Sequence, residues 1–369
     1  MTAALAILAL ASSVAGAAAA GDTVPYFQPA GRLARLNLAP YGELRLRDDF
    51  VHGRPGATAD LHVQQAALRA GLAWLPPRTP WRLEAGLRAA LSSERNDDPW
   101  VVFRNETPDS FEWDRAEVQW ANPAGDRGLG GKTRLPLRLT EMVWDDDLRP
   151  VGAGVITPLG WLRTDALRLA AGWFNRSRLG DDGRFGAVQL SIRARGEVAT
   201  ETEVTISYLE FGDLDVLARR GLARQNATVA TPHGPAYVAD FELLDLQVAG
   251  HAQVGRLPVS LRLDLLRNFG FDRDHDGVRT RLALGGGSAP AGIETGWVYQ
   301  RIEREALPGA FNSDDWWFHT RMQGHHAWLQ IGTDRPVSLR LAGFIERRDD
   351  VSHDTRRLTA ELKLRLPEP

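Results

Sequence analysis

From Arg356 to Leu366 the chain alternates without a slip: Leu358, Ala360, Leu362, Leu364 and Leu366 take every second place, with Thr359, Glu361, Lys363 and Arg365 between them. A helix of period 3.6 would scatter these apolar residues, whereas a strand sets them all on one face. The pattern returns along the chain. Leu44 and Leu46 oppose Glu43, Arg45 and Arg47; Trp81, Leu83, Ala85, Leu87 and Ala89 oppose Arg82, Glu84, Gly86 and Arg88. Val188, Leu190 and Ile192, then Val204, Ile206 and Tyr208, then Val259, Leu261 and Leu263, and finally Val337, Leu339 and Leu341 repeat it. Three stretches read less simply. Leu68, Leu72 and Leu75 also suit a helix, so 61–75 is open. After a glycine-rich turn over 122–132, Leu135, Leu137 and Leu139 against Arg134 and Arg138 predict another strand. Between Phe318 and Ile331 the phase slips, which a bulge at Gly324 would repair.

About sixteen strands result, and their connections sort into two kinds. One set is short and rich in Pro and Gly (76–80, 159–164, 196–199, 253–256, 287–292, 333–336). The other is long and rich in Asp (48–60, 92–110, 176–183, 211–239, 269–277, 304–316, 348–355). Short turns at one end and long loops at the other, joining segments of about ten residues, predict an all-β transmembrane antiparallel up-and-down barrel with periplasmic turns and extracellular loops. Closure pairs every backbone amide, which the hydrocarbon demands. Trp81, Trp120, Trp173, Trp297, Tyr299, Trp316, Trp317, Phe318 and Trp328 are expected in the interfacial girdles.

Composition narrows the class. The formal net charge is −3, which argues against a nucleic-acid partner. There is no cysteine, hence no disulfide and no thiolate metal site. The Ala- and Leu-rich start, residues 1–20, is too short to span a bilayer and predicts a secretory signal cleaved near Ala18 to Ala20. Residues 21–32 then read as a lead and 33–366 as the barrel.

The segment Met142-Val143-Trp144-Asp145-Asp146-Asp147-Leu148-Arg149-Pro150-Val151-Gly152 resembles a motif of a porin family of Gram-negative bacteria. In that family a Trp-Asp-x-Asp-Leu-x-Pro-x-Gly loop feeds a strand, followed by one like Leu167 to Phe174. Residues 299–306, Phe311-Asn312-Ser313-Asp314-Asp315 and the strand at 257–268 extend the similarity over most of 140–366. The resemblance implies a β-barrel pore for small solutes, integral to the outer membrane. Its surroundings would be outer-membrane lipid and lipopolysaccharide, with a homotrimer as an assembly open to it.

On the predicted strands the polar face carries Arg45, Arg47, Arg82, Arg88, Arg134, Arg138, Arg168, Arg193, Arg195, Arg262, Arg279, Arg281, Arg340, Lys363 and Arg365. The acids there are fewer: Glu43, Glu84, Glu117, Glu203, Asp245, Asp264 and Glu361. Such a lining predicts a weak anion preference; Asp145 to Asp147 folded inward would act the other way. Asp272, Asp274 and Asp276 fit the opening of a calcium loop, but the closing acid of an EF-hand falls at Ala283, so calcium and a solvated hairpin tip both stand. His325 and His326, adjacent on a strand, point to opposite faces and cannot serve one metal ion easily. Asp213 as N-cap, with Leu214, Leu217 and Ala218, predicts a short helix up to Arg224, either at the surface or folded into the lumen. No nucleophile–base pair, P-loop or nucleotide fingerprint is found. An outer-membrane barrel enzyme and a soluble β-rich carbohydrate-binding protein are the alternatives to a passive pore.

Overall fold

The computed structural model describes residues 36–93, 110–159, 166–173, 183–195, 201–286, 292–333 and 336–366. The expected signal peptide and lead, most of the loop 92–110 and part of several turns lie outside them. The strands are β1 (Leu38–His52), β2 (Leu61–Trp74), β3 (Trp81–Ser92), β4 (Ser110–Ala121), β5 (Arg127–Lys132), β6 (Val151–Thr157), β7 (Ala166–Trp173), β8 (Arg184–Arg195) and β9 (Glu201–Gly212). After a helix, α1 (Asp215–Arg219), come β10 (Thr228–Thr231), β11 (Gly234–Tyr237), β12 (Phe241–Val254), β13 (Leu257–Asn268), β14 (Asp276–Gly285), β15 (Glu294–Ile302), β16 (Met322–Ile331), β17 (Val337–Arg348) and β18 (Thr355–Leu366). All but β10 and β11 form one closed sixteen-stranded barrel, each strand antiparallel to its neighbours in the chain. It closes where β1 meets β18, with Leu46 opposite Leu362 and Glu43 opposite Arg365. β10 and β11 make a separate hairpin.

The alternation in sequence becomes an outside and an inside. On β13, Leu261, Leu263 and Leu265 are 53%, 38% and 44% exposed, while Asp264 between them is fully buried. Leucines bared to the outside and carboxylates turned inward invert a soluble protein. The arrangement is stable only where the exterior is hydrocarbon. Trp74, Trp81, Trp113 and Trp297 stand exposed on the outer face, as a girdle requires. Trp316, Phe318 and Trp328, expected there, are instead buried inside. The side chain of Trp173 lies outside the described residues.

One open reading is settled and three other expectations are corrected. Residues 61–74 are strand throughout, as β2. The glycine-rich stretch is partly β5, and residues 133–150 are no strand but a long inner loop. Pro136 explains the change, since it has no N–H for a ladder, and Leu135, Leu137 and Leu139 pack on an interior cluster instead of facing lipid. The helix spans Asp215–Arg219 with Leu214 as N-cap and no side-chain cap, while Asp213 sits at φ 57° and pairs with Arg184. Finally, β16 runs in unbroken register from Met322 to Ile331, with Gly324 opposite Gln300 and Glu346. The slip vanishes because Phe318 lies in the preceding loop. A real bulge sits in β4, where Gly86 faces Arg115 but Leu87 faces Trp113. The extra residue, Asp114, is thereby turned inside beside Arg115, both buried.

Candidate functional site in the barrel lumen

Two loops at the same end of the barrel fold inward, 133–150 between β5 and β6 and 303–321 between β15 and β16. The first leaves β5 at Gly131, whose φ of 119° suits only glycine without strain. It then passes the inner face of β6 at Gly154, where a Cβ would stand 2.5 Å from Cγ of Pro136. Together the loops form an apolar plug. Met142, Leu307, Trp316, Phe318 and Phe311 are 0–3% exposed, packed with Phe211, Leu243, Ile302, Met322 and Phe344 of the wall. The ring of Phe311 stacks between Trp144 and Phe211, with centroids 5.6 and 5.4 Å apart.

Hydrogen bonds latch one loop to the other. Asp145 N–H donates to Phe311 O at 2.7 Å, and Ser313 N–H donates to Glu141 O at 2.9 Å. The Asp145 carboxylate accepts the N–H groups of Asp147 at 2.7 Å and Asp314 at 3.2 Å. The loop after β9 seats on the second inner loop: Asn226 Nδ2 donates to Leu307 O at 2.9 Å, and Ala227 N–H donates to Glu305 Oε1 at 2.8 Å. Val216 and Ala218 of α1 are buried. Leu214 and Leu217 pack against the plug cluster, so the helix is part of a cover over it.

Below the plug, charges from the loop tips meet charges from the wall. Asp147 takes Arg45 of β1 at 3.1 Å and Arg69 of β2 at 2.8 Å. On the far wall, Glu141 accepts from Arg279 of β14 at 2.5 Å, and Gln247 of β12 donates to Arg138 O at 3.0 Å. This one loop therefore crosses the lumen from β1 and β2 to β12 and β14. Burial alone would raise the Asp147 carboxyl, but Arg45 and Arg69 outweigh it and hold it well below its ordinary range. Asp145 goes the other way, raised by burial and then by the nearby charges of Asp314 and Asp147. Asp315 of the second loop is salt-bridged to Arg47 at 2.5 Å, and Arg357 binds Asp49 at 2.9 Å. Burial would raise Asp315, yet Arg47, Arg340 and Arg357 depress it strongly.

The residues proposed from sequence fall into separate groups. Arg45 and Arg47 converge on the acids of the inner loops. Arg82 binds Glu84, which also takes Arg115 at 2.8 Å, and Arg88 is buried on the same strand. Arg138 is on the inner loop and not on a strand, and it shares Glu203 with Arg193 at 2.5 and 2.8 Å. Arg168 donates to Ser191 at 2.9 Å. Asp264 lies 3.9 Å from Arg279; Arg262 and Arg340 are on the wall of β13 to β17. Lys363 and Arg365 pair with Glu361 and Glu43 near the turn end, apart from the rest. Asp272 is exposed, and Asp276 is held by Arg267 at 2.7 Å. Among the described residues, these three aspartates and their neighbours assemble no group able to hold a metal ion. Sequence reasoning missed Arg69, Asp114, Arg357 and the inward turn of Glu141 and Asp315. Arg69 was hidden by the helix–strand ambiguity of β2, and Asp114 by the bulge.

No family model matches the chain, and no curated protein is similar to it at a significant level. Solved structures do match. OprB of Pseudomonas putida at high pH is similar with a TM-score of 0.59 over 90% of this chain and 94% of that one, at 10% identity. A mutant of the porin from Rhodopseudomonas blastica gives 0.52 over 89% of this chain and 100% of that one, at 9% identity. The fold defines the class: a membrane-spanning antiparallel β barrel with the architecture of the outer-membrane porins. At these identities the likeness is one of fold.

Proposed function

We propose that this chain is an integral outer-membrane porin, a passive diffusion channel for small hydrophilic solutes and ions. The observation that carries the reading is the inner loop 133–150, which crosses the lumen and is tied at opposite walls by Asp147 to Arg45 and Arg69 and by Glu141 to Arg279. A barrel serving only as an anchor or a scaffold has no need to place a charged bar across its interior. A weak anion preference follows less from the total of lumen arginines than from their pairing. Arg45, Arg47, Arg69 and Arg279 are matched by acids of the folded loops and several others by acids of the strands. On the wall of β13 to β17, Arg262 and Arg340 have no such match among the described residues, a cationic surplus. On the outer face, Arg347 and Arg356 are exposed at the loop end, where the phosphates of lipopolysaccharide would meet them. Reversal potentials across a planar bilayer in a KCl gradient test the selectivity. A modest shift toward the chloride potential supports it, and clear cation selectivity, unchanged after Arg168→Glu, refutes it.

A further inference from the structure

We propose that the lumen wall of β13 to β17 holds a built site for a small oxyanion, the carboxylate or phosphate group of a passing solute, formed by Arg281 and Arg340 over the indole of Trp328 with Arg262 beside Arg281 on the next strand. The proposal rests on the channel reading and gives it a substrate class. Trp328 is on the inner face of β16, and its ring lies flat across β15. A Cβ at Gly296 would come within 2.3 Å of Trp328 Cη2, so only glycine allows this bed. Trp328 Nε1–H donates to Glu294 Oε1 at 3.1 Å, which fixes the ring in its plane. Over the ring stand the guanidinium carbons of Arg281 at 4.8 Å and Arg340 at 5.7 Å from its centroid. That range suits cation–π attraction.

The charges at this place do not balance. Arg262 and Arg281 sit directly opposite each other across β13 and β14, a pairing of like charges that destabilises a sheet. Glu294 accepts from Arg281 at 3.0 Å. Arg340 has His326 Nε2 at 3.3 Å, and its Nε is buried without a hydrogen-bond partner. Among the described residues neither Arg340 nor Arg262 forms a salt bridge with a carboxylate: Arg340 acts on Asp315 only at longer range, and the acids nearby are bridged elsewhere. Glu361, opposite Arg340 in register, takes Lys363 at 2.9 Å, and Asp315 takes Arg47 at 2.5 Å. Asp264, two places along from Arg262, faces Arg279 at 3.9 Å. Arg281 and Arg340 are thus held on a rigid aromatic bed, with Arg262 facing Arg281 across the sheet and Glu294 the one carboxylate bridged to the group. All three arginines remain partly exposed, and the planar fork of each matches the two oxygens of a carboxylate or phosphate.

The test is the unitary chloride current of the purified protein in planar bilayers, with potassium phosphate, potassium acetate or sucrose added at constant KCl. The wild type should show a saturating block by phosphate, acetate or both, and none by sucrose. Arg262→Gln with Arg340→Gln should raise the half-blocking concentration about tenfold or more, the worth of one charge-assisted hydrogen bond. Arg340→Lys, which keeps the charge but loses the fork, should fall between, and Arg365→Gln at the turn end should match wild type. Heat-modifiable migration on gels verifies that each variant is folded. A block that never saturates, or one that the double variant shares with wild type, overturns the site. Absence of unitary steps would refute the channel reading alone. Equilibrium dialysis of labelled phosphate against the detergent-purified protein then decides the site separately: binding lost in the double variant upholds it, and no binding by wild type overturns it.

Discussion

Two neighbouring aspartates on the inner loop are pushed in opposite directions by their surroundings, and their pH behaviour should separate them. Asp147, depressed by Arg45 and Arg69 against the effect of burial, contributes stability that is fully present above its ordinary value of 3.8 and is lost as pH falls through the depressed one. Asp147→Asn should cost about 1–3 kcal/mol, because it strips two partly buried guanidiniums of their carboxylate. It should also flatten the loss of melting temperature in acid, measured as heat-modifiability in detergent. Asp145, raised by burial and by Asp314 and Asp147, contributes stability that is present in acid and lost as pH rises through the raised value. Asp145→Asn should therefore melt like wild type near pH 4 and higher than wild type at pH 8. A variant that melts lower at pH 8 would mean that the charged carboxylate is needed by the loop latch.

At the scale of elements, period-two alternation was enough to find most of the barrel and to sort its leucines from its arginines. That is because lipid outside and water inside impose the pattern on nearly every strand. The two infolded loops obey neither rule, and the sequence misled there. Leu135, Leu137 and Leu139 alternate as a strand would, yet they pack inward around Pro136. Trp316 and Phe318 look like girdle residues until their loop is seen to turn into the barrel. Alternation reports which face is apolar and cannot say whether that face meets lipid or a private core. The wall itself gives a clean check. Leu263→Arg should destabilise by about 2–4 kcal/mol near the bilayer midplane. Ser260→Arg, facing the lumen, should cost about 1 kcal/mol or less, the remainder being repulsion from Arg281. Equal damage in urea titrations of folding into vesicles would invert the assignment of inside and outside. For the loop, Trp144→Ala removes a side chain stacked on Phe311 and should cost about 3–5 kcal/mol of local packing. Unitary conductance should rise or become noisy as the loop frees; an unchanged trace would show that Trp144 does not hold it in place.

The molecule as a whole is a closed sheet whose interior is subdivided by its own loops: plug and cover at one end, a bar of paired charges below, and an arginine-bearing wall on β13 to β17. Because the natural chain has no cysteine, one introduced thiol reports on that interior alone. The most direct test is the single-channel current of the Asp147→Cys protein before and after a water-soluble cationic thiol reagent is added. Stepwise insertion should give unitary currents that drop by a discrete amount on modification, while a Leu263→Cys protein, whose thiol faces lipid away from the reagent, keeps its current. Insertion with no unitary currents, or currents that ignore modification at residue 147, would contradict the account of an aqueous lumen narrowed by this loop.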